Sequence, residues 1–338
     1  MHISYRTRRL LKNIGVIALV AALVGALVYL CWFTWLERYV IYTRQQGAVL
    51  DRNLDPHVAE GPEAVAPEQE TVSIYYNEGE NAINVSKEMT QLVGYYADGT
   101  LLADMETVLT QIGLLETGTP VMLDVKDAKG NFFYSSAISS NRHSGVDPAA
   151  MDGLIETLDK KGMYLIARLP AFRDYAFGLS ATENGLFVSS GAYLWADEDY
   201  CYWLDPTKQG TITHLVDIVN ELKSLGFDEV VFENFCFPPA QNLKFSGDRA
   251  QAINAAATTL VTSLADQSFA VSFVSTEGFV TPGGRSRVYL TDAVAAQAAA
   301  AAAQTGVEDP AIQVVFLTEN HDTRFNEYGV LRPLDSAG

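Results

Sequence analysis

The 338-residue chain is 48% hydrophobic and 19% charged, with 41 acidic against 23 basic side chains and a net charge of −18 at pH 7. Through Arg44 six basic residues face the single Glu37, a balance of +5, so residues 45–338 carry −23. A body that acidic repels nucleic acid and anionic surfaces and accommodates uncharged or cationic partners more easily; three cysteines exclude a disulfide-rich scaffold.

Residues Ile14 to Trp35 contain no charged side chain, and as a helix this run would be roughly 33 Å long, against a hydrocarbon core of about 30 Å. Arg6, Arg8, Arg9 and Lys12 precede it with no acidic residue, which by the positive-inside tendency keeps the N-terminus cytoplasmic and sends the rest outward. The apolar core of a cleaved signal peptide is shorter, about 7–15 residues, and Trp32, Trp35 and Tyr39 suit an interfacial belt better than a cleavage site. The expected order is a cytoplasmic basic tail over 1–13, a transmembrane anchor over 14–36, a flexible acidic linker over 45–84 broken by Pro56, Pro62 and Pro67, and an extracytoplasmic folded domain over 85–338.

That domain has the size of one (β/α)8 TIM barrel and alternates short β-rich runs with longer helical patterns. The clearest strands are Val121–Val125, Tyr164–Ala167, Glu229–Phe232, Phe269–Val274 and Ile312–Leu317, with weaker runs at Leu92–Tyr96, Arg287–Leu290 and Gly329–Leu331. They are apolar on both sides, as strands buried under helices are. Helical stretches at Met151–Lys161 and Thr213–Leu225 end in Gly162 and Gly226, which suit the left-handed residue after a helix; Asp248–Ala265 and the alanine-rich Ala293–Gln304, preceded by Thr291 and Asp292 as possible caps, complete the pattern.

In such a barrel the loops after the strand C-termini build the active face. Asp124, Lys126 and Asp127 follow the second strand, Arg168 and Asp174 the third, and Glu233 the fourth; Ser275 and Glu277 follow the fifth, and Glu319, His321 and Asp322 the seventh. Glycosidic cleavage needs one protonated carboxylic acid and one carboxylate as nucleophile or base, and Glu233 with Glu277 or Glu319 can supply them. Tyr193, Trp195, Tyr202 and Trp203 cluster between the third and fourth strands, either to stack on sugar rings or to plug the barrel top. Cys201 and Cys236 either stand as isolated thiols or form one bridge. No glycine-rich phosphate loop, His-x-x-x-His pair, Cys-x-x-Cys or Gly-x-Ser-x-Gly elbow occurs, so no metal or cofactor is expected.

Asp124-Val125-Lys126-Asp127 with Gly130 and Tyr134, then Gly162 to Arg168 with Phe172, Arg173 and Asp174, then Trp203-Leu204-Asp205-Pro206, then Gly226 to Pro238 form an ordered series of segments. In this order and spacing the chain, from about Val108 to Pro239, resembles a bacterial glycoside hydrolase family first catalogued as a domain of unknown function. The resemblance implies a TIM barrel acting on carbohydrate. Together with the strand-end carboxylates it leads to the expected catalytic pair, Glu233 as nucleophile or base and Glu277 as general acid, with Asp124, Lys126, Arg168, Asp174, Trp203 and Asn234 binding substrate. Three positions depart from the family pattern: Glu233 stands for an aspartate, Asn234 for a tyrosine and Cys236 for an arginine. The carboxylate is thereby kept but advanced by a methylene, and a shift of about 1 Å in a catalytic group can cost on the order of 100-fold. Phe316 to Phe325, FLTENHDTRF, also resembles the Asn-His-Asp segment of α-amylase-type barrels. That likeness would set His321 and Asp322 on a sugar; the other reading is a capped loop with an Asp322–Arg324 salt link. The expected function is a membrane-anchored glycoside hydrolase acting on a poly- or oligosaccharide or envelope glycan; the alternative is a catalytically silent barrel that binds carbohydrate or another envelope component.

Overall fold

The structure, a computed structural model, describes residues 5–37, 40–43, 47–50 and 88–336. The chain divides into two compact units at Glu80. The first holds the helix Tyr5–Glu37 and an antiparallel pair, β1 (Val40–Thr43) and β2 (Gly47–Leu50). Within the helix Val16–Phe33 has a mean hydropathy of 2.6 and no buried residue, and is long and apolar enough to cross a membrane. Of the expected linker over 45–84, Gly47–Leu50 pairs with Val40–Thr43; residues 45, 46 and 51–84, like residues 1–4 of the basic tail, lie outside the described residues.

The second unit is a closed barrel of eight parallel strands. They are β3 (Val93–Ala97), β4 (Pro120–Asp124), β5 (Tyr164–Pro170), β6 (Glu229–Glu233), β7 (Ala270–Val274), β8 (Val288–Leu290), β9 (Val314–Leu317) and β10 (Gly329–Pro333), with β10 closing on β3. All eight expected strands form, weak ones included, so the fold is a (β/α)8 barrel. Side chains alternate along each strand between the barrel interior and the helical layer. Met122, Ile166, Val231, Tyr289, Val315 and Leu331 fill the interior as one cluster, while Val121, Leu123, Leu165, Ala167, Val230, Phe232, Val271 and Phe273 pack into the larger core around it.

Three of the expected helices form, as Pro148–Lys160, Gln209–Ser224 and Arg249–Leu264. Asp147 and Asp248 accept first-turn amide hydrogens as N-caps, and Gly162 and Gly226 adopt φ +70° and +93° beyond the first two helices. The alanine-rich helix is shorter than expected. Asp292 sits at φ +55° in a turn, and regular helix starts only at Ala298, after a 3-10 turn at Ala295–Gln297. Similarly β9 starts at Val314 because Asp309 and Pro310 open a short helix that runs to Gln313.

Opposite the strand C-termini, the barrel floor carries a buried charge network. Glu229 Oε2 accepts from Arg287 Nη1 at 2.5 Å and from the Tyr164 hydroxyl at 2.9 Å, and Oε1 accepts from Ser272 at 2.6 Å and Tyr289 at 2.9 Å. Arg287 also donates to the carbonyls of Ile312 and Thr90. Each Glu229 oxygen thus accepts two hydrogen bonds and every guanidinium nitrogen of Arg287 donates at least one, the condition on which a buried pair is tolerated.

Candidate active site

Residues two apart on a strand share a face, so Asp124 continues the interior column of Met122, Arg168 that of Ile166, and Glu233 that of Val231. The three stand side by side at the mouth on β4, β5 and β6. Asp124 and Arg168 are register partners. Arg168 Nε donates to Asp124 Oδ1 at 2.5 Å, and the Gly99 amide donates to Asp124 Oδ2 at 2.9 Å. The same Arg168 nitrogen is 4.0 Å from Glu233 Oε2. Taken end to end, 2.5 Å and 4.0 Å bring the two carboxylate oxygens within about 6.5 Å of each other. The Arg168 guanidinium also lies 5.8 Å from the centre of the Tyr96 ring.

Burial at the mouth raises the Glu233 carboxyl above its usual range; Arg168 pulls it down and Asp124 pushes it up. Its side chain keeps 38% exposure, so it is open on one side and enclosed by protein on the others. The backbone beyond it fixes its direction. Asn234 takes φ +48°, a left-handed conformation that asparagine tolerates better than most residues. That turn drives Phe235 into an aromatic cluster, 4.5 Å from Phe172 and 4.7 Å from Phe273 between ring centres.

Asn234 lines a cleft of about 690 Å³ with Arg173, Trp195, Asp197, Glu198, Asp199, Trp203 and the prolines 238 and 239. Trp203 is buried, donating its indole N–H to Asp197 at 3.0 Å, and Tyr202 stacks on Tyr175, so these two pack the loop. Trp195 is half-buried in the cleft wall and Tyr193 is exposed. Arg173 donates to both Asp197 and Asp199 at 2.6 Å. Burial would raise the Asp197 carboxyl, but the hydrogen bonds from Arg173, Trp203 and the Cys201 amide outweigh it and hold it at about 2.

Other expected site residues fall elsewhere. Lys126 and Asp174 pair with each other at 2.8 Å with side chains 2% and 1% exposed, and His214 Nε2 stands 3.3 Å from the same Asp174 oxygen. Asp174 also caps the helix Tyr175–Ser180. These groups hold the loops together and, though each is nearly buried, lie in the wall of a cleft of about 810 Å³. Glu277 is exposed and lines a different cleft, of about 460 Å³, with Cys236, Phe237 and Arg249. Cys236 faces that cleft too, so the cation beside Glu233 is Arg168 on β5, not a side chain at position 236. Cys201 and Cys236 are both free thiols. Glu319 lines a third cleft, of about 340 Å³, with Tyr96, Asp98, Asp104 and Asp335. His321 is exposed, and Asp322 takes the capped form, bound to Arg324 Nη2 at 2.7 Å and to the Arg324 amide at 3.0 Å.

Tyr96, Asp98, Arg173 and Asp197 belong to the mouth but were not singled out as site residues from the sequence. Tyr96 lies in β3 and Asp98 directly follows it, a weak strand to which the strand-end rule applies equally. Among the described residues no group of His, Cys, Asp and Glu is arranged to hold a metal.

The sequence profile of the family described as "Putative glycosyl hydrolase domain" matches residues 99–277. No curated protein matches the chain. Among solved structures, a hypothetical protein from Ruminiclostridium thermocellum is 22% identical over 55% of this chain and all of its own, with a TM-score of 0.47. The cycloalternan-degrading enzyme from Trueperella pyogenes is 10% identical over 71% of this chain and 42% of its own, at 0.48. A variant of the glycoside hydrolase domain of PelA from Pseudomonas aeruginosa is 14% identical over 72% and 96%, at 0.42.

Proposed function

The chain belongs to the putative glycosyl hydrolase domain family, and we propose that it hydrolyses O-glycosidic bonds of a poly- or oligosaccharide with Glu233 and Asp124 as its carboxylate pair. The observation that carries this reading is Arg168, which ties Asp124 at 2.5 Å and stands 4.0 Å from Glu233. An acid that protonates the leaving oxygen needs a raised carboxyl, and burial raises Glu233. The nucleophile is Asp124, whose two oxygens are fixed by hydrogen bonds from a guanidinium and a backbone amide. Glu233 gives its proton to the departing oxygen as Asp124 bonds to the anomeric carbon; water then displaces Asp124, returning a proton to Glu233. A carboxylate separation of at most about 6.5 Å favours this direct attack over the wider spacing that admits a water. Glu277, the acid expected from the sequence, is exposed in another cleft, which supports Asp124 as the partner. Asn234 and Trp195 then serve as the sugar subsite.

The test is hydrolysis of a panel of aryl glycosides and envelope glycans by the full chain in detergent micelles, wild type beside Glu233→Gln. Wild-type turnover falling about 10²–10⁴-fold in the variant supports the enzyme. Glycan binding with no turnover on any substrate would replace it with the non-catalytic carbohydrate-binding protein.

We also infer that Val16–Phe33 is an uncleaved anchor in the cell membrane with the barrel outside it, supported by the length and hydropathy of the helix and the basic residues before it. Retention of the full-length chain in alkali-washed membranes, with the barrel digestible by protease added outside, is the expected result. A mature chain starting beyond Trp35 would show a signal peptide instead.

A further inference from the structure

Tyr96 stands at the mouth but has no part in the chemistry assigned above. On β3 it is the register partner of Met122, so its side chain lies on the barrel interior one layer below Asp124 and Arg168, and its ring packs against the interior cluster. The Arg168 guanidinium stands over that ring, 5.8 Å from its centre, inside the range of about 6 Å in which an aromatic face attracts a cation. Burial, and then the charge of Glu319, raise the Tyr96 hydroxyl above its usual value; Asp98 and Asp335 add to them and Arg168 opposes. The ring is therefore neutral and acts through its face.

The guanidinium is otherwise lightly held. Among the described residues its one hydrogen bond runs from Nε to Asp124 at 2.5 Å, and neither terminal nitrogen has an acceptor, although the side chain is only 16% exposed. An acceptor is close by, since Glu233 Oε2 is 4.0 Å from Nε. A small rotation would turn the unused N–H groups onto Glu233 and close a charge-assisted hydrogen bond, which would hold that carboxyl ionised. We propose that Tyr96 is a positioning residue whose ring keeps Arg168 on Asp124 and off Glu233. Its effect on turnover rests on the glycosidase reading above; the placement of Arg168 stands apart from it. Glu233 is also faced by Asp124 and Lys126, from β4 and the loop after it, and by Arg173 from the loop after β5. Those charges are unchanged in the variants below, which leaves Arg168 as the cation whose distance to Glu233 is varied.

The test compares Tyr96→Leu and Tyr96→Phe with wild type, as full chains in detergent micelles, on the glycan of the panel that wild type hydrolyses, with folding followed by Tm. Tyr96→Leu removes the aromatic face, so the basic limb of kcat/KM should move down by about one pH unit and kcat at neutral pH should fall about ten-fold, with KM within about two-fold. Tyr96→Phe keeps the face and should keep the wild-type limb, with kcat within about two-fold. Pentafluorophenylalanine at position 96 keeps the shape but inverts the charge distribution of the ring; it should move the limb as leucine does, and it decides the matter should Tyr96→Leu fail to fold. The Glu233 carboxyl is also titrated directly, through the carboxyl-carbon NMR signal that Glu233→Gln removes, and should titrate lower in Tyr96→Leu than in wild type. A folded Tyr96→Leu with the wild-type limb and the wild-type titration overturns the proposal and leaves the glycosidase standing. A Tyr96→Phe that behaves as Tyr96→Leu overturns it in favour of the hydroxyl. A lowered Glu233 titration in Tyr96→Leu, with no hydrolysis of any glycan by wild type, upholds the positioning and removes the glycosidase.

Discussion

Arg168 reaches Asp124 at hydrogen-bonding distance and stops 4.0 Å short of Glu233. The interval matters because a hydrogen bond from the guanidinium would hold Glu233 ionised, whereas at 4.0 Å only the longer-range attraction opposes burial, and burial prevails. The raised Glu233 carboxyl is therefore the work of burial, with the Asp124 charge beside it, against the pull of Arg168.

The pH profile should report this. An acid with a raised carboxyl is protonated, and active, to higher pH than an ordinary glutamate, so the basic limb of kcat/KM should lie on the high side of the usual glutamate range. For stability the sign is opposite to that of a paired carboxylate. The folded state binds this proton more tightly than the unfolded one, so the favourable contribution belongs to low pH and is lost as pH rises through the raised value. Glu233→Gln should therefore raise Tm at neutral pH while abolishing turnover. A lowered Tm would mean that the ionised carboxylate stabilises the mouth.

Arg168→Lys keeps the charge but replaces the planar fork with a point charge that cannot reproduce the Nε donation to Asp124. A displaced carboxylate should cost about 10–100-fold in kcat, with the folded barrel retained by circular dichroism. A variant with wild-type kcat would show that Asp124 is positioned by the Gly99 amide alone.

The eight strands were legible because a strand covered on both faces is a short apolar run, and even the weak runs at β3, β8 and β10 had partners on either side. Asp124, Arg168 and Glu233 were legible as the last polar residues on such runs. What the strand-end rule lacks is direction. Lys126 and Asp174 also follow strands, but they satisfy each other under the loops. Gly130 shows how closely those segments pack. It sits at φ +83°, and a Cβ there would meet Ala176 Cβ at 2.5 Å and Asp174 Oδ1 at 2.7 Å. Much of the signature that identifies the family is thus loop architecture. Glu229, the first residue of an apolar run, lies two and four residues before Val231 and Glu233, and that spacing places it inside the barrel floor.

That floor makes a stability prediction. Arg287→Met leaves Glu229 buried with hydroxyl donors but no cation, and breaking a buried pair from one side costs about 3–5 kcal/mol. Adding Glu229→Gln should recover most of the loss, because the remaining groups are then neutral. Urea unfolding of the single and double variants separates the cases, and equal loss in both would mean that packing of Arg287, not its charge, is what matters.

Lys126 and Asp174 give the complementary case at the loops. Burial would raise Asp174, but Lys126 and His214 overcome it and hold the carboxyl well below the usual carboxylate range. A group whose folded value is depressed adds stability above its unfolded value, near 3.8 here, and that contribution drains away as pH falls through the folded value. Wild type should therefore lose part of its stability below about pH 4, whereas Lys126→Met should be less stable by about 3 kcal/mol at pH 7 and show a flatter acid limb. Because the pair presents almost no surface, the same variant should alter KM little in the fraction that remains folded. A large rise in KM with unchanged Tm would instead return Lys126 to the substrate-binding role that its place after the second barrel strand first suggested.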